Sequence, residues 1–216
     1  PEVADAAEPY LRLHWGNPSS GHAFGRSCKT AVDGARTACA SLLGAEPEEI
    51  LFLSCGSEAD NHAIVGPLQL EEGRRRAAHG TGAELPLPHA VSSEIEHPAV
   101  VECLAILEAV GRLRVTRVGV DLEGRVSAAE VAAAVTPETV IVTIMHSNNE
   151  VGSLQPIEEI VRLIRSGSTN PDVLIHTDAA QSVGKVCCTI LHPMQATHPQ
   201  DVPHKHSTRP RRARIP

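Results

Sequence analysis

Residues 173–181, with the sequence VLIHTDAAQ, are the stretch from which the fold and the function of this chain are best inferred. The apolar and β-branched first half predicts a buried strand over residues 173–177. The acid Asp178 and the amide Gln181 follow the carboxyl end of that strand. A carboxylate beside a core strand is costly unless a cation or a donor meets it, so Asp178 is a candidate functional residue. A metal ligand or a helix cap would explain a single strand-end Asp equally well.

Strand-like and helix-like patterns alternate along the rest of the chain. Strands are predicted at residues 50–54, 89–93, 114–120, 140–146 and 173–177. Helices are predicted at residues 20–43, 56–70, 98–110, 127–135 and 156–165, and a surface loop at 71–88. This alternation is typical of an α/β fold with a mostly parallel sheet flanked by helices.

Composition and charge argue against several functions. The 216 residues are 42% hydrophobic but only 2% aromatic, and the formal net charge of −7 argues against nucleic acid or a membrane surface as a partner. No apolar run approaches the ~20 residues that a membrane span needs. Six cysteines without CxxC spacing, and no visible signal or transit peptide, predict reduced thiols in the cytoplasm or an organellar matrix.

The composition changes abruptly after Lys185. Residues 186–216 contain five basic residues and one acid, a net of +4, whereas residues 1–185 contain 14 basic and 25 acidic residues, a net of −11. We therefore expect a partial α/β domain over residues 1–185, followed by a divergent, basic, Pro- and His-rich tail over 186–216 that is disordered. Four arginines in this tail only suggest a nucleic-acid arm as an alternative.

Four polar groups follow predicted strands, and the carboxyl ends of parallel strands meet at one edge of a sheet. Gly56 and Ser57 begin a helix, where free N–H groups and the helix dipole suit a phosphate. An ordinary N-cap is the alternative there. His97 is suited either to stacking on a flat ring or to capping the next helix.

The other two groups are Asn149, in the sequence SNNEVG at 147–152, and Asp178 with Gln181. An ordinary Asn/Gly turn is the alternative role of the first. Together the four groups supply a phosphate site, a ring face, a partner for a ring hydroxyl and a counter-ion for a ring nitrogen. A pyridoxal phosphate (PLP) pocket needs this set. An unrelated nucleotide-binding domain is a weaker interpretation, because the chain lacks GxGxxG and GxxxxGK[ST].

Five ordered motifs resemble the class V aminotransferase-like cysteine desulfurases of the NifS/IscS type, to which selenocysteine lyase is closely related. They are WGNPSSGHAFGR (15–26), SCGSEADN (54–61), SSEIEHPAV (92–100), IMHSNNEVG (144–152) and HTDAAQSVGK (176–185). The resemblance covers roughly the first half of a typical member. It implies a truncated large domain of the PLP-dependent transferase (aminotransferase type I-like) fold, with residues 1–185 as its partial PLP-binding part.

The resemblance also assigns roles to six residues. Gly56 and Ser57 would hold the PLP phosphate, His97 would stack on the ring as the catalytic residue, Asn149 and Gln181 would address the ring hydroxyl, and Asp178 would pair with the pyridine nitrogen. The implied reaction takes sulfur from L-cysteine, or selenium from L-selenocysteine, and leaves L-alanine. The implied assembly is a homodimer, or a heterodimer with a full-length paralogue.

The chain departs from the family pattern in its last part. Family members anchor PLP through a lysine in a Ser/Gly-His-Lys motif after the next strand. Lys205 lies near the expected distance from Asp178, but no apolar strand precedes it, so a solvated tail lysine is the simpler interpretation. We therefore expect a desulfurase-like protein that is inactive alone. The alternative is a non-catalytic fragment that binds or modulates a full-length paralogue.

Overall fold

The computed structural model describes residues 1–80 and 85–186, so Lys205 and the tail from residue 187 onward lie outside the described residues. The described helices are α1 (Glu2–Arg12), α2 (Ala23–Leu43), a 3₁₀ turn (Pro47–Glu49), α3 (Gly56–His79), α4 (Pro98–Ala109), α5 (Ala128–Ala133) and α6 (Ile157–Gly167). The strands are β1 (His89–Ser93), β2 (Arg114–Val118), β3 (Thr139–Thr143) and β4 (Leu174–His176). None of these helices has the length and apolar character needed to cross a membrane.

The four described strands form one parallel sheet in the order β2-β1-β3-β4. Each connection between parallel strands must cross over a face of the sheet, and helices make these crossovers. Every residue of the central strand β1 is buried, as expected for a strand with parallel neighbours on both sides and helices on both faces.

Side chains alternate between the two faces of the sheet. Ala90 and Ile141 join a core cluster with α3 and α4, while Val91 and Val142 join a second cluster with α5 and α6. A shift of one residue in either strand would exchange these two sets, so burial on both faces fixes the register. The result is a three-layer arrangement in which both helical layers pack on one sheet.

A buried histidine links the strands at the edge of the sheet opposite to their carboxyl ends. His89, the first residue of β1, makes ring hydrogen bonds to Thr139 Oγ1 at 2.8 Å and to Thr116 Oγ1 at 2.9 Å. Burial lowers the pKa of His89 to about 4. The neutral ring therefore has a structural role, joining β1 to β3 and β2.

The helices α1 and α2 bury little of their surface in the described residues. No residue of α1 is buried, and the side chains of Leu11, Trp15 and Phe24 are each 79% exposed. Gly25 at the start of α2 is required by close packing, because a Cβ there would lie 2.4 Å from the carbonyl oxygen of Ser20. The chain before α3 is thus a well-formed helical segment with an open apolar surface.

Most of the predicted elements are confirmed, and the exceptions have physical reasons. Residues 50–54 form no strand: they pair with no described strand, and Leu51 and Phe52 are exposed. The predicted loop at 71–88 is wrong in its first part, because α3 continues to His79 and is supported by an Arg75–Glu71 ion pair of 2.7 Å. The helix α1 was not predicted.

Leu104→Ala tests the packing of α4 on the sheet. Leu104 is 1% exposed within the α3–α4 cluster, so we expect the free energy of unfolding to fall by about 3 kcal/mol. The matched control is Ile106→Ala on the same helix, where the side chain is 61% exposed and we expect a change within about 0.5 kcal/mol. Urea denaturation followed by circular dichroism measures both. Equal effects of the two substitutions would contradict this packing.

Candidate functional site

Three elements that are distant in sequence meet at the carboxyl edge of the sheet. Asp60 lies in α3, His97 caps α4, and Asp178 follows β4. One carboxylate oxygen or ring nitrogen of each lies within 4.8 Å of the corresponding atoms of the other two. The fold therefore brings together two of the predicted site residues, His97 and Asp178, with a third residue that the sequence analysis did not select.

The amino end of α3, which contains Gly56 and Ser57, begins one helical turn before Asp60. Its N-cap residue is Cys55, and no side chain caps the helix, so the N-cap role considered for Ser57 is wrong. Ser57 is exposed, and an added Cβ at Gly56 would meet nothing within 4 Å. The first-turn N–H groups thus face open space, where they can donate to an anion.

His97 is held in one orientation by the helix that it caps. Its Nδ1 accepts a hydrogen bond of 3.1 Å from the backbone N–H of Ala99. Because Nδ1 is the acceptor, the neutral ring bears its proton on Nε2. The capping role that the sequence left open is therefore present, and it fixes the ring beside Asp60 and Asp178.

The loop after β4 holds Asp178 at the same edge. Its Oδ1 accepts from the N–H of Ala180 at 2.9 Å, and its carbonyl oxygen accepts from the N–H of His146 at 2.8 Å. Gln181 is exposed further along this loop, with its Oε1 3.4 Å from Lys185 Nζ. Asp178 is thus fixed by the backbone of two strand-end loops, whereas Gln181 lies at the surface.

Asn149 is exposed on the loop after β3, and its neighbour Asn148 is buried. The Asn148 Oδ1 accepts from the N–H groups of Glu150 and Val151, each at 2.9 Å. The turn considered as an alternative in the sequence is therefore formed, and Asn148 builds it. Asn149 stands at the outer side of that turn, so its role toward a ring hydroxyl stays a prediction.

Asp60 is a site residue that sequence reasoning missed. It is 6% exposed, and its Oδ1 lies 3.7 Å from Nε2 of His176. Burial raises the pKa of Asp60 to about 6, assisted by the charge of Asp178 and opposed by His97. Asp60, Ile64 and Leu68 are the buried residues of α3 and follow a four-residue spacing. The sequence signal for Asp60 was an acid at the start of the buried, four-residue-spaced face of α3.

Glu96 is a second missed residue, and it connects two strand-end loops. It is 7% exposed; its carboxylate oxygens accept from the N–H of Met145 at 3.0 and 2.9 Å, and the Ser93 hydroxyl donates to it as well. Burial raises the pKa of Glu96 to about 7, although the hydrogen bonds from Ser93 and Met145 act in the opposite direction. In return, Asn148 Nδ2 donates to the carbonyl oxygen of Ile95 at 2.9 Å.

The donor set fits pyridoxal phosphate. The uncapped amino end of α3 offers N–H groups and the Ser57 hydroxyl to a phosphate, His97 offers a fixed imidazole face, and Asp178 offers a carboxylate to a pyridinium nitrogen. The three groups thus match the anionic phosphate, the flat ring and the cationic ring nitrogen of that cofactor. Their assignment to individual cofactor atoms remains a prediction.

The raised pKa of Glu96 predicts a pH dependence of stability. Between about pH 4.5 and pH 7 the unfolded chain has lost this proton while the folded chain retains it, so the free energy of unfolding falls as pH rises through this window. Glu96→Gln removes the titration. We expect the wild-type stability to fall relative to Glu96→Gln by on the order of 2 kcal/mol over that range.

Urea denaturation at several pH values between 4.5 and 8 measures this difference. Glu94→Gln is the control, because Glu94 is a neighbouring but exposed acid, and we expect its pH profile to follow that of the wild type. Parallel profiles for Glu96→Gln and the wild type would contradict the burial of an ionisable Glu96.

Comparisons with known proteins agree with this geometry. Residues 1–190 match the family model described as aminotransferase class-V. A cysteine desulfurase of Trichormus azollae is 40% identical over 186 residues, which cover 86% of this chain and 42% of that protein. A selenocysteine lyase of Xenopus tropicalis is 36% identical over 192 residues, covering 86% and 44% of the two chains.

Solved structures show the same fold. A NifS-like protein superimposes with a TM-score of 0.76 at 32% identity, covering 88% of this chain and 48% of its own. The structure of SspA in complex with cysteine gives a TM-score of 0.71 at 33% identity, with coverages of 84% and 47%. This chain therefore spans less than half the length of these relatives. The predicted α/β large-domain fold of the PLP-dependent transferases is confirmed.

The predicted cofactor is confirmed at the level of the family, whose members are PLP enzymes. The structure of a mutant of C-DES, with glycine covalently linked to its PLP cofactor, has a TM-score of 0.65 at 20% identity and shows only that the fold is shared. A family match over residues 1–190, on a fold that the solved relatives share, means that this chain belongs to the class-V aminotransferase family.

Proposed function

We propose that this protein is a PLP-dependent, cysteine desulfurase-like protein, whose substrate is L-cysteine or L-selenocysteine and whose product is L-alanine. The observation that supports it best is the meeting of the α3 amino end, His97 and Asp178 at one edge of the sheet. The relatives named cysteine desulfurase and selenocysteine lyase support the substrate class.

Each group of the chain has a defined task in this proposal. PLP, when bound, supplies an electron sink for breaking bonds in an amino-acid substrate. The N–H groups of Gly56 and Ser57 and the Ser57 hydroxyl hold the phosphate. Asp178 holds the proton of the pyridine nitrogen, because a carboxylate at that position favours the charged ring.

His97 covers the ring face, and its hydrogen bond from Ala99 prevents the imidazole from turning away. Asn149 and Gln181 are amides on the two flanking loops, and they orient the ring hydroxyl. Their exposure leaves both side chains accessible to a ligand that enters from solvent.

Asp178→Asn tests the cofactor site. We expect the wild-type chain to bind PLP with a change in its absorption spectrum, and the variant to bind roughly tenfold more weakly or worse, because a charge-assisted hydrogen bond worth about 1.5–3 kcal/mol is lost. Asp172→Asn is the matched control, since Asp172 is an exposed acid that precedes β4. No spectral change with the wild type, or equal affinities for Asp178→Asn and the wild type, would refute this site.

We further infer that the chain alone binds PLP without turning over substrate. The sequence contains three lysines, Lys29, Lys185 and Lys205. Lys29 pairs with Asp33 on the exposed face of α2, and Lys185 is exposed beyond Gln181. Neither position resembles a lysine enclosed with a cofactor.

Borohydride reduction of the PLP complex, followed by peptide mapping, tests this inference because only three lysines need to be distinguished. We expect no stable adduct on any of them, and no release of L-alanine from L-cysteine. A reduced adduct on Lys205 with L-alanine formation would show instead that the chain is a complete catalyst.

We also propose that the exposed apolar surface at the end of α1, the start of α2 and the segment between them packs against a second copy of this chain. Leu11, Leu13, Trp15 and Phe24 are all more than 70% exposed, which is unusual for large apolar side chains so close together in sequence. The homodimer implied by the family resemblance would cover them. A full-length paralogue is the alternative occupant.

Trp15 is the only tryptophan of the sequence, so its fluorescence reports on this surface directly. We expect its emission to shift to shorter wavelength as protein concentration rises and the dimer forms, in parallel with the mass measured by light scattering. Lys29→Ala on the polar side of α2 is the control, and we expect its concentration dependence to equal that of the wild type. A solvent-exposed spectrum at every concentration, with a monomeric mass, would contradict self-association.

A further inference from the structure

Asp60 is a buried carboxylate without an evident structural purpose. It heads the buried face of α3, where Ile64 and Leu68 continue into the core. Within residues 1–80 and 85–186, its carboxylate makes no hydrogen bond, and the imidazole Nε2 of His176 lies 3.7 Å from its Oδ1. A carboxylate buried in this way is costly to keep, so it is a candidate for a role in ligand recognition.

The neighbours of Asp60 supply little positive charge. His176 donates or accepts at Nδ1 with Thr143 Oγ1 at 2.9 Å, and burial lowers the pKa of its imidazole, so that the ring is neutral near pH 7. Within the described part of the chain, no lysine or arginine forms an ion pair with Asp60, Glu96 or Asp178. The strand-end edge therefore holds an excess of negative charge.

The three carboxylates differ in how many hydrogen bonds they already accept from the protein. Glu96 is occupied by the Met145 N–H and the Ser93 hydroxyl, and Asp178 accepts from the Ala180 N–H at one oxygen. Asp60 is the one whose oxygens remain free of hydrogen bonds among the described residues. Its charge is thus available to act on a neighbouring group, and the carboxylate of Asp178 lies within 4.8 Å of it.

We propose that Asp60 is a positioning residue that acts through Asp178 and makes the pocket select a ring whose nitrogen is protonated. This inference rests on the proposed function. Two carboxylates within 4.8 Å of each other attract a single positive charge more strongly than one does, whereas a neutral ring gains little from the second carboxylate. Asp60 would therefore keep the proton on the pyridine nitrogen, where the electron sink requires it.

A chemical double-mutant cycle tests the proposal with the full 216-residue chain. The two ligands are PLP and its 1-deaza analogue, in which a C–H replaces the ring nitrogen and no ring proton is possible. We expect Asp60→Asn to weaken binding of PLP by about fivefold to tenfold and to leave binding of the analogue unchanged, because only PLP presents a positive charge to Asp60. Asp33→Asn, an exposed acid on α2, is the control and should change neither affinity.

The binding results distinguish a failure of the Asp60 inference from a failure of the proposed function. Equal weakening of both ligands by Asp60→Asn would mean that Asp60 only shapes the pocket, and no change in either would mean that its charge does not reach the ring. Both results overturn this inference while leaving the proposed function intact. Failure of the wild type to bind PLP would instead overturn the proposed function, and this inference with it.

A pH series on the wild type keeps the proposal testable if Asp60→Asn does not fold. Asp60 faces His97, His176, Asp178, Glu96 and Cys103, and its pKa is raised to about 6. We expect the preference for PLP over the deaza analogue to rise between pH 5 and pH 7, as Asp60 becomes charged. Glu96→Gln retains Asp60 and still offers an amide oxygen to the Met145 N–H, so it should keep this rise. A preference that is flat over this range, or a rise that Glu96→Gln abolishes, would contradict the assignment to Asp60.

Discussion

The geometry at the strand ends depends on the buried carboxylate of Glu96. By accepting from the backbone N–H of Met145, it joins the turn before α4 to the loop after β3. Asn148 returns a hydrogen bond to Ile95, so the same two segments are connected twice in opposite directions. His97 directly follows Glu96, and Asn149 directly follows Asn148, so both predicted site residues are adjacent to this connection. These hydrogen bonds continue the connection between β1 and β3 beyond the last paired residues, Ser92 and Thr143.

The same edge concentrates negative charge that the fold does not neutralise. Asp60, Glu96 and Asp178 come from different elements, and burial, together with a smaller effect of the charge of Asp178, raises the pKa of both Asp60 and Glu96. Burying such a group lowers stability unless a partner compensates for it. In the proposed function, a cationic ring bound at Asp178 would be such a partner. The cost in stability and the proposed binding of the cofactor would then be two consequences of one arrangement.

The sequence was sufficient for the layers of the fold because alternating strands and helices have few arrangements other than a parallel sheet with helices on both sides. It was insufficient at residues 50–54, where an apolar run of strand length lacks a neighbouring strand, and at the end of α3, where an ion pair extends the helix past Gly66 and Pro67. The missing partner of residues 50–54 is a property of the packed structure, whereas the i,i+4 pair of Glu71 and Arg75 is a local signal that the loop prediction passed over.

The candidate site, like the fold, could be predicted from the sequence only in part. His97 and Asp178 could be selected because each follows a recognisable strand, and parallel strands end at one edge. Asp60 had one sequence signal, its place at the head of the buried face of α3, and Glu96 had none, because an acid in a turn is usually exposed and only the packed structure shows its burial. The roles of Gly56, Ser57, Asn149 and Gln181 rest on the family resemblance and on their position beside this cluster.

We infer that carboxylates at the sheet edge hold a positively charged cofactor ring. The most direct measurement is the ¹⁵N NMR shift of PLP labelled at the ring nitrogen and bound to the chain. We predict the shift of a protonated pyridinium, retained to a pH above that at which free PLP loses this proton. A bound cofactor whose ring nitrogen has the shift of a neutral pyridine at pH 7 would contradict the account.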